Sequence, residues 1–131
     1  MPNKYTFRKL PGEPIIVFTP SASYHMAIDV QASIETAFEV LAELTESVYY
    51  IHDWLAIKPL DINDVSVGAM SAALSQNPLF KHPQIREIIF VTTDKILLAA
   101  AEGLNSKVYD YIQVRSFSTM EEALSHVRSQ G

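Results

Sequence analysis

KYTFRKL and PIIVFTP, each rich in β-branched and aromatic residues, flank Pro11-Gly12-Glu13, a pattern that predicts an opening hairpin. A polar connector, PSASYHM, leads into DVQASIETAFEVLAELTES. There Ile34, Phe38, Leu41 and Leu44 recur at helical spacing, and Glu35, Glu39, Glu43 and Glu46 form a wet side. VYYIHDWLAI follows, too short and too aromatic for a helix. It is apolar at both alternating sets of positions and predicts a central strand covered on both faces, with Pro59 closing the connection behind it. Residues 62–76 predict a second helix ended by Asn77-Pro78. Its small residues Gly68, Ala69, Ala72 and Ala73 would let its backbone lie close to the sheet.

IREIIFVTTD predicts another buried strand, and KILLAAAE a helix capped by Thr93 or Asp94, with Gly103 in the left-handed position just past its end. YIQVRSF supplies a last strand. Ser118 and Glu121 make a capping box, S-x-x-E, at the head of MEEALSHVRSQ, whose Ala123, Leu124 and Val127 should pack on the sheet. The order is β-β-α-β-α-β-α-β-α. Its alternating part demands parallel strands joined by right-handed crossovers, and the hairpin adds an antiparallel member. The expected fold is α/β: one domain over residues 1–131 with a mixed, mostly parallel sheet and helices packed on it. There is no internal repeat or low-complexity linker to divide the chain.

Composition narrows the partners. Of the 131 residues 48% are apolar and 19% charged, which leaves apolar surface for another protein and suggests a homodimer. A net charge of -5 with scattered basic residues argues against nucleic acid, since a phosphate backbone is bound by clustered Lys and Arg. The chain has no cysteine, so disulfides, thiolate nucleophiles and Cys-ligated metals are excluded. The opening MPNKYTFRKLPGEP lacks the apolar core of a signal peptide, and ILLAAA falls far short of the ~20 residues that span a bilayer. A cytoplasmic protein without membrane insertion is expected.

His52, Asp53 and Trp54 form the first candidate site, at the carboxyl end of the predicted central strand, where open α/β sheets tend to bind ligands. In a catalytic reading Asp53 orients a nearby histidine and Trp54 offers an apolar wall. Against it, neighbouring strand residues point to opposite faces, so His52 and Asp53 would not meet, Trp54 would be core and Asp53 would hold the next loop. Tyr49, Tyr50, Trp54 and Phe90 are candidates to line an apolar pocket. His25, His52, His82 and His126 show no metal-binding spacing, and neither a phosphate loop nor G-x-S-x-G is present. No cofactor, no metal and no catalysis are expected.

Asp53 after YYIH, the helix opening in DINDVSVGAMSAAL, the ending IQVRSFSTMEEALSHV and the order of elements together resemble the STAS domains, whose name joins sulphate transporters with anti-sigma factor antagonists. The ending is also similar to those of uncharacterised bacterial STAS-like proteins. The resemblance implies a module that binds a kinase-like protein and is released when a serine at the start of its second main helix is phosphorylated. The family's motif there is Asp, two Ser or Thr residues and Gly. This chain has Asp64-Val65-Ser66-Val67-Gly68, which keeps the acid, one serine and the glycine and inserts valines. Helix N-terminal amides would welcome a phosphate on Ser66, while Asp61 and Asp64 would repel it. The plainer expectation is that Asp61 or Asn63 caps the helix and Ser66 is an early helical residue, buried against the sheet or bonded to local backbone. The leading functional expectation is a non-catalytic, STAS-like, protein-binding module. The alternatives are a module binding a small apolar molecule or lipid, suggested by the apolar strands and by the relation in fold between STAS-like domains and lipid carriers, and, behind it, an enzyme using Asp53 and a nearby histidine.

Overall fold

A computed structural model describes residues 4–57, 61–74, 79–109 and 111–130. The roles expected of Pro59 and Asn77-Pro78, and residues 75–76 of the second helix, lie outside them, as does the side chain of Ala72. The strands are β1 (Tyr5–Lys9), β2 (Ile15–Pro20), β3 (Val48–Asp53), β4 (Ile85–Val91) and β5 (Val114–Phe117). The helices are α1 (Met26–Ala42), α2 (Ile62–Ala73), α3 (Lys95–Leu104) and α4 (Met120–Gln130). This is the expected element order. The strands lie side by side as β1-β2-β3-β4-β5, with β1 antiparallel to β2 and the remaining pairs parallel.

Strands laid down in one direction with right-handed crossovers put their connecting helices on one face. Here α1, α2 and α3 share a core with Ile16, Phe18, Tyr50, Ile88 and Phe90. The last helix has no further strand to reach. It folds under the other face, where Ala123 and Val127 meet Ile15, Val17, Ile51, Ile89 and Val91. β3 lies in the middle of the five strands and is buried on both sides, as its unbroken apolar run requires.

Local details depart from expectation in instructive ways. Helix α1 starts at Met26 rather than Asp29, and the supposedly polar connector buries Tyr24 and Met26. Asp29 instead accepts the His25 backbone N–H at 2.7 Å. Asp94 caps α3 as anticipated, taking the N–H groups of Ile96 and Leu97. Gly103, however, stays inside that helix, because Leu104 is buried beneath it and holds the last turn helical. The cap of α4 lies at Thr119, one residue later than the expected Ser118–Glu121 box, and Glu122 answers through hydroxyls rather than the cap's backbone N–H. Thr119 Oγ1 accepts the Glu122 N–H at 3.1 Å, and the Glu122 carboxylate in turn accepts the hydroxyls of Thr119 and Ser118.

Helix α2 packs chiefly on α1 and α3 rather than directly on the strands. Gly68 makes this possible: a Cβ there would come within 2.5 Å of Met26 Sδ on α1. The small residue thus brings α2 against α1, not against the sheet.

From the observed cap, Thr119→Ala should cost ~1 kcal/mol in urea melts and Ser118→Ala clearly less, the reverse of what an S118-centred box requires.

Candidate functional site

Alternation along β3 sends Tyr50 and His52 toward α1–α3, with Trp54 following on the same side. Parallel register places His52 between Phe18 of β2 and Phe90 of β4. Five aromatic rings surround the imidazole, at centroid distances of 4.2 Å (Tyr50), 5.1 Å (Phe90), 5.3 Å (Phe18), 5.7 Å (Phe80) and 5.9 Å (Trp54). Among the described residues neither nitrogen of His52 has a hydrogen-bond partner, and neither does Trp54 Nε1; both residues are about 95% buried. A buried polar atom left unsatisfied costs ~1–3 kcal/mol, so such a cluster asks for a reason.

These two side chains line a cavity between the sheet and α2. Phe18, Tyr24, Met26, Val65, Gly68 and Leu97 form part of its wall, and the space open to the centre of a water molecule is about 50 Å³. Among the described residues no Lys, Arg, Asp or Glu lines it. Ser33 and Tyr24, two other polar residues of the wall, are already bonded to each other. Ser33 Oγ donates to Val30 O at 2.8 Å, so its contact with Tyr24 at 3.0 Å must be donated by the Tyr24 hydroxyl. Of the expected pocket aromatics Tyr50, Trp54 and Phe90 are present. Tyr49 is not, since it points to the opposite face and lies 4.8 Å beneath the Arg86 guanidinium. Tyr24 and Met26 escaped the sequence reading because the polar residues around them hid two buried side chains.

Burial controls the protonation of this wall. It pushes the His52 pKa down to about 3 from 6.5, and raises the Tyr24 hydroxyl to about 12 and Tyr50 well above its ordinary value. The imidazole is therefore neutral near pH 7, offering one N–H donor and one bare nitrogen.

Asp53 stands on the other face and accepts the Leu55 N–H at 3.1 Å, holding the turn after β3. The His52 ring makes no hydrogen bond to it. His126 on α4 instead bonds Glu87 at 2.7 Å, with Arg115 on the same carboxylate, and His25 lies 3.4 Å from Asp64. No group of three His, Asp or Glu among the described residues is placed to hold a metal ion.

The second candidate is the outer face of α2. Asp61 caps this helix, its carboxylate taking the N–H groups of Asn63 and Asp64. Ser66 is exposed, so of the two expected placements, burial against the sheet or a bond to local backbone, the first does not hold. It borders a groove between α2 and α3 of about 380 Å³, shared with Ile62, Lys95, Ile96 and Tyr109. Around it Ile62, Val67, Met70 and Leu74 are 66%, 40%, 54% and 45% exposed, four of the six large apolar side chains so exposed among the described residues. The signal missed in the sequence is that 62–74 carries a single charged residue, Asp64.

Because His52 charges more readily in the unfolded chain, its contribution to stability is complete above pH 6.5 and is lost as pH falls toward 3. His52→Phe should therefore be near neutral at pH 7 and, relative to wild type, gain ~2 kcal/mol by pH 5 in denaturant melts.

The chain matches no family model, no curated protein and no solved structure.

Proposed function

We propose that this chain is a non-catalytic protein-binding module of the STAS kind, whose partner docks on the outer face of α2. The supporting observation is the apolar stripe itself. Ile62, Ser66, Met70 and Leu74 follow at four-residue steps, with Val67 beside them, on a helix whose other side is already committed to α1 and α3. Exposed apolar side chains gathered on one helix, with no Lys or Arg interspersed, fit a helix-face interface better than a solvated surface. Asp61 and Asp64 make the head of the stripe acidic. The fitting partner is a different protein, with an apolar ridge and a basic group facing those two carboxylates. An antiparallel second copy would bring no cation there, since α2 has no basic residue in its last turn.

Ser66 sits at the middle of this face, and a phosphate there would place about -1.5 to -2 charges among apolar contacts. Lys95 shares its groove but lies outside the stripe. Phosphorylation then acts as a release signal, as the STAS resemblance implies.

Affinity capture from the native cell with wild type and Met70→Lys, followed by identification of bound proteins, tests this reading. Met70 is exposed, so the substitution should change stability by no more than ~0.5 kcal/mol while weakening a partner's binding by roughly tenfold or more. Ser66→Asp should weaken it too, and Ser66→Ala should preserve it. Capture unchanged by Met70→Lys would refute the docking face. A dimer by light scattering that Met70→Lys dissociates would assign the face to a second copy instead.

A further inference from the structure

We propose that the cavity beneath α2 is a binding site for a small neutral molecule that carries both a hydrogen-bond acceptor and a donor, held by His52 and Trp54. The proposal is independent of the outer face of α2, because it concerns the opposite side of that helix.

The chemistry follows from what the wall leaves unsatisfied. A neutral imidazole has one N–H and one bare nitrogen, and the indole has one N–H, so His52 and Trp54 together present two donors and one acceptor without partners. The two imidazole nitrogens point to opposite sides of the ring, so a small molecule meets one of them beside the indole: an oxygen accepts the Trp54 N–H and an N–H or O–H is given to the bare His52 nitrogen, as a primary amide or a hydroxyl can do. A carboxylate is disfavoured because no cation among the described residues lines the cavity to pair with it. The residues facing the imidazole are Phe18 from β2, Tyr50 from β3, Trp54 beyond it, Phe80 from the turn before β4 and Phe90 from β4, none of them charged near neutral pH. Burial keeps His52 itself neutral as well.

Size sets the second limit. The cavity of about 50 Å³ exceeds what one water needs, ~10–15 Å³, and is well below the roughly 150 Å³ that accepts benzene. A ligand of about three to five heavy atoms fits, its polar end at His52 and Trp54 and its methyl or methylene end against Val65, Leu97 and Phe18. Long-chain lipids are excluded by the same measure.

Acetamide is a suitable probe, with acetate as its charged counterpart of equal size. Trp54 is the chain's one tryptophan, so its indole N–H gives a single nitrogen-proton resonance that reports on the site directly. Acetamide should shift this resonance saturably, with a midpoint on the order of millimolar as befits so few atoms, and acetate at pH 7 should not. His52→Phe should raise the acetamide midpoint about tenfold or more, the loss of one well-made hydrogen bond. Trp54→Phe, followed through the His52 ring protons, should do the same and serves if His52→Phe does not fold. A merely linear drift with acetamide, an equal response to acetate, or midpoints unchanged in both variants would overturn the proposal. So would indole contacts to ordered water that acetamide does not displace, which would make the cavity a water site only.

Discussion

The rest of the molecule depends on β3 being buried from both sides. Val48, Tyr49, Tyr50, Ile51 and His52 are all withdrawn from water, and a strand with no wet face can be satisfied only by neighbours on both edges and helices on both faces. Burying a side chain such as Ile51 is worth ~1.5–3 kcal/mol relative to exposure, so the run on β3 outweighs any local preference at its ends. Placing β3 third of five strands, with α1–α3 above and α4 below, follows from that demand. So does the condition of His52. The alternation that puts Tyr50 in the core puts the imidazole there too, two residues on, where five aromatic rings receive it.

Helix α2 is the other consequence. Three crossover helices compete for one face of a narrow sheet, and the middle one comes to rest on its neighbours α1 and α3. Gly68 allows the contact with Met26, and the space left between α2 and the strands is the cavity. The helix therefore has two unlike sides. Val65, Gly68 and Ala69 face the cavity, while Ile62, Val67 and Met70 face solvent. Both candidate sites are thus properties of one element, and its fixed points are the Asp61 cap and the His25–Asp64 pair at its head.

Much of this was legible in the residues. The period-two and helical patterns marked every strand and α-helix, and the two-sided apolar run identified β3 as central. Alternation alone separated His52 from Asp53. What was not legible depended on packing between distant segments. Ser118 and Thr119 are each followed by a glutamate three residues on, so either fits a capping box, and only the docking of Ala123 and Val127 chooses Thr119. Gly103 looked like a stop until Leu104 proved to be an anchor. Helix α2 is apolar nearly all round, so its sequence does not say which side faces inward, and the position of Ser66 could not be read from spacing. The unsatisfied nitrogens of His52 and Trp54 depend on what the neighbouring strands and helices fail to offer, and no local pattern encodes that.

The claim on which this account turns is that His52 is a neutral imidazole sealed inside the sheet–helix core. Following its ring carbon-bound protons by NMR as pH is lowered tests it most directly. The account predicts that they keep the chemical shifts of neutral imidazole from pH 8 to about pH 5, as burial pushes the pKa down to about 3. A titration with a midpoint near 6.5, the ordinary value, would place His52 in contact with water and contradict the core, the cavity and the site built on them.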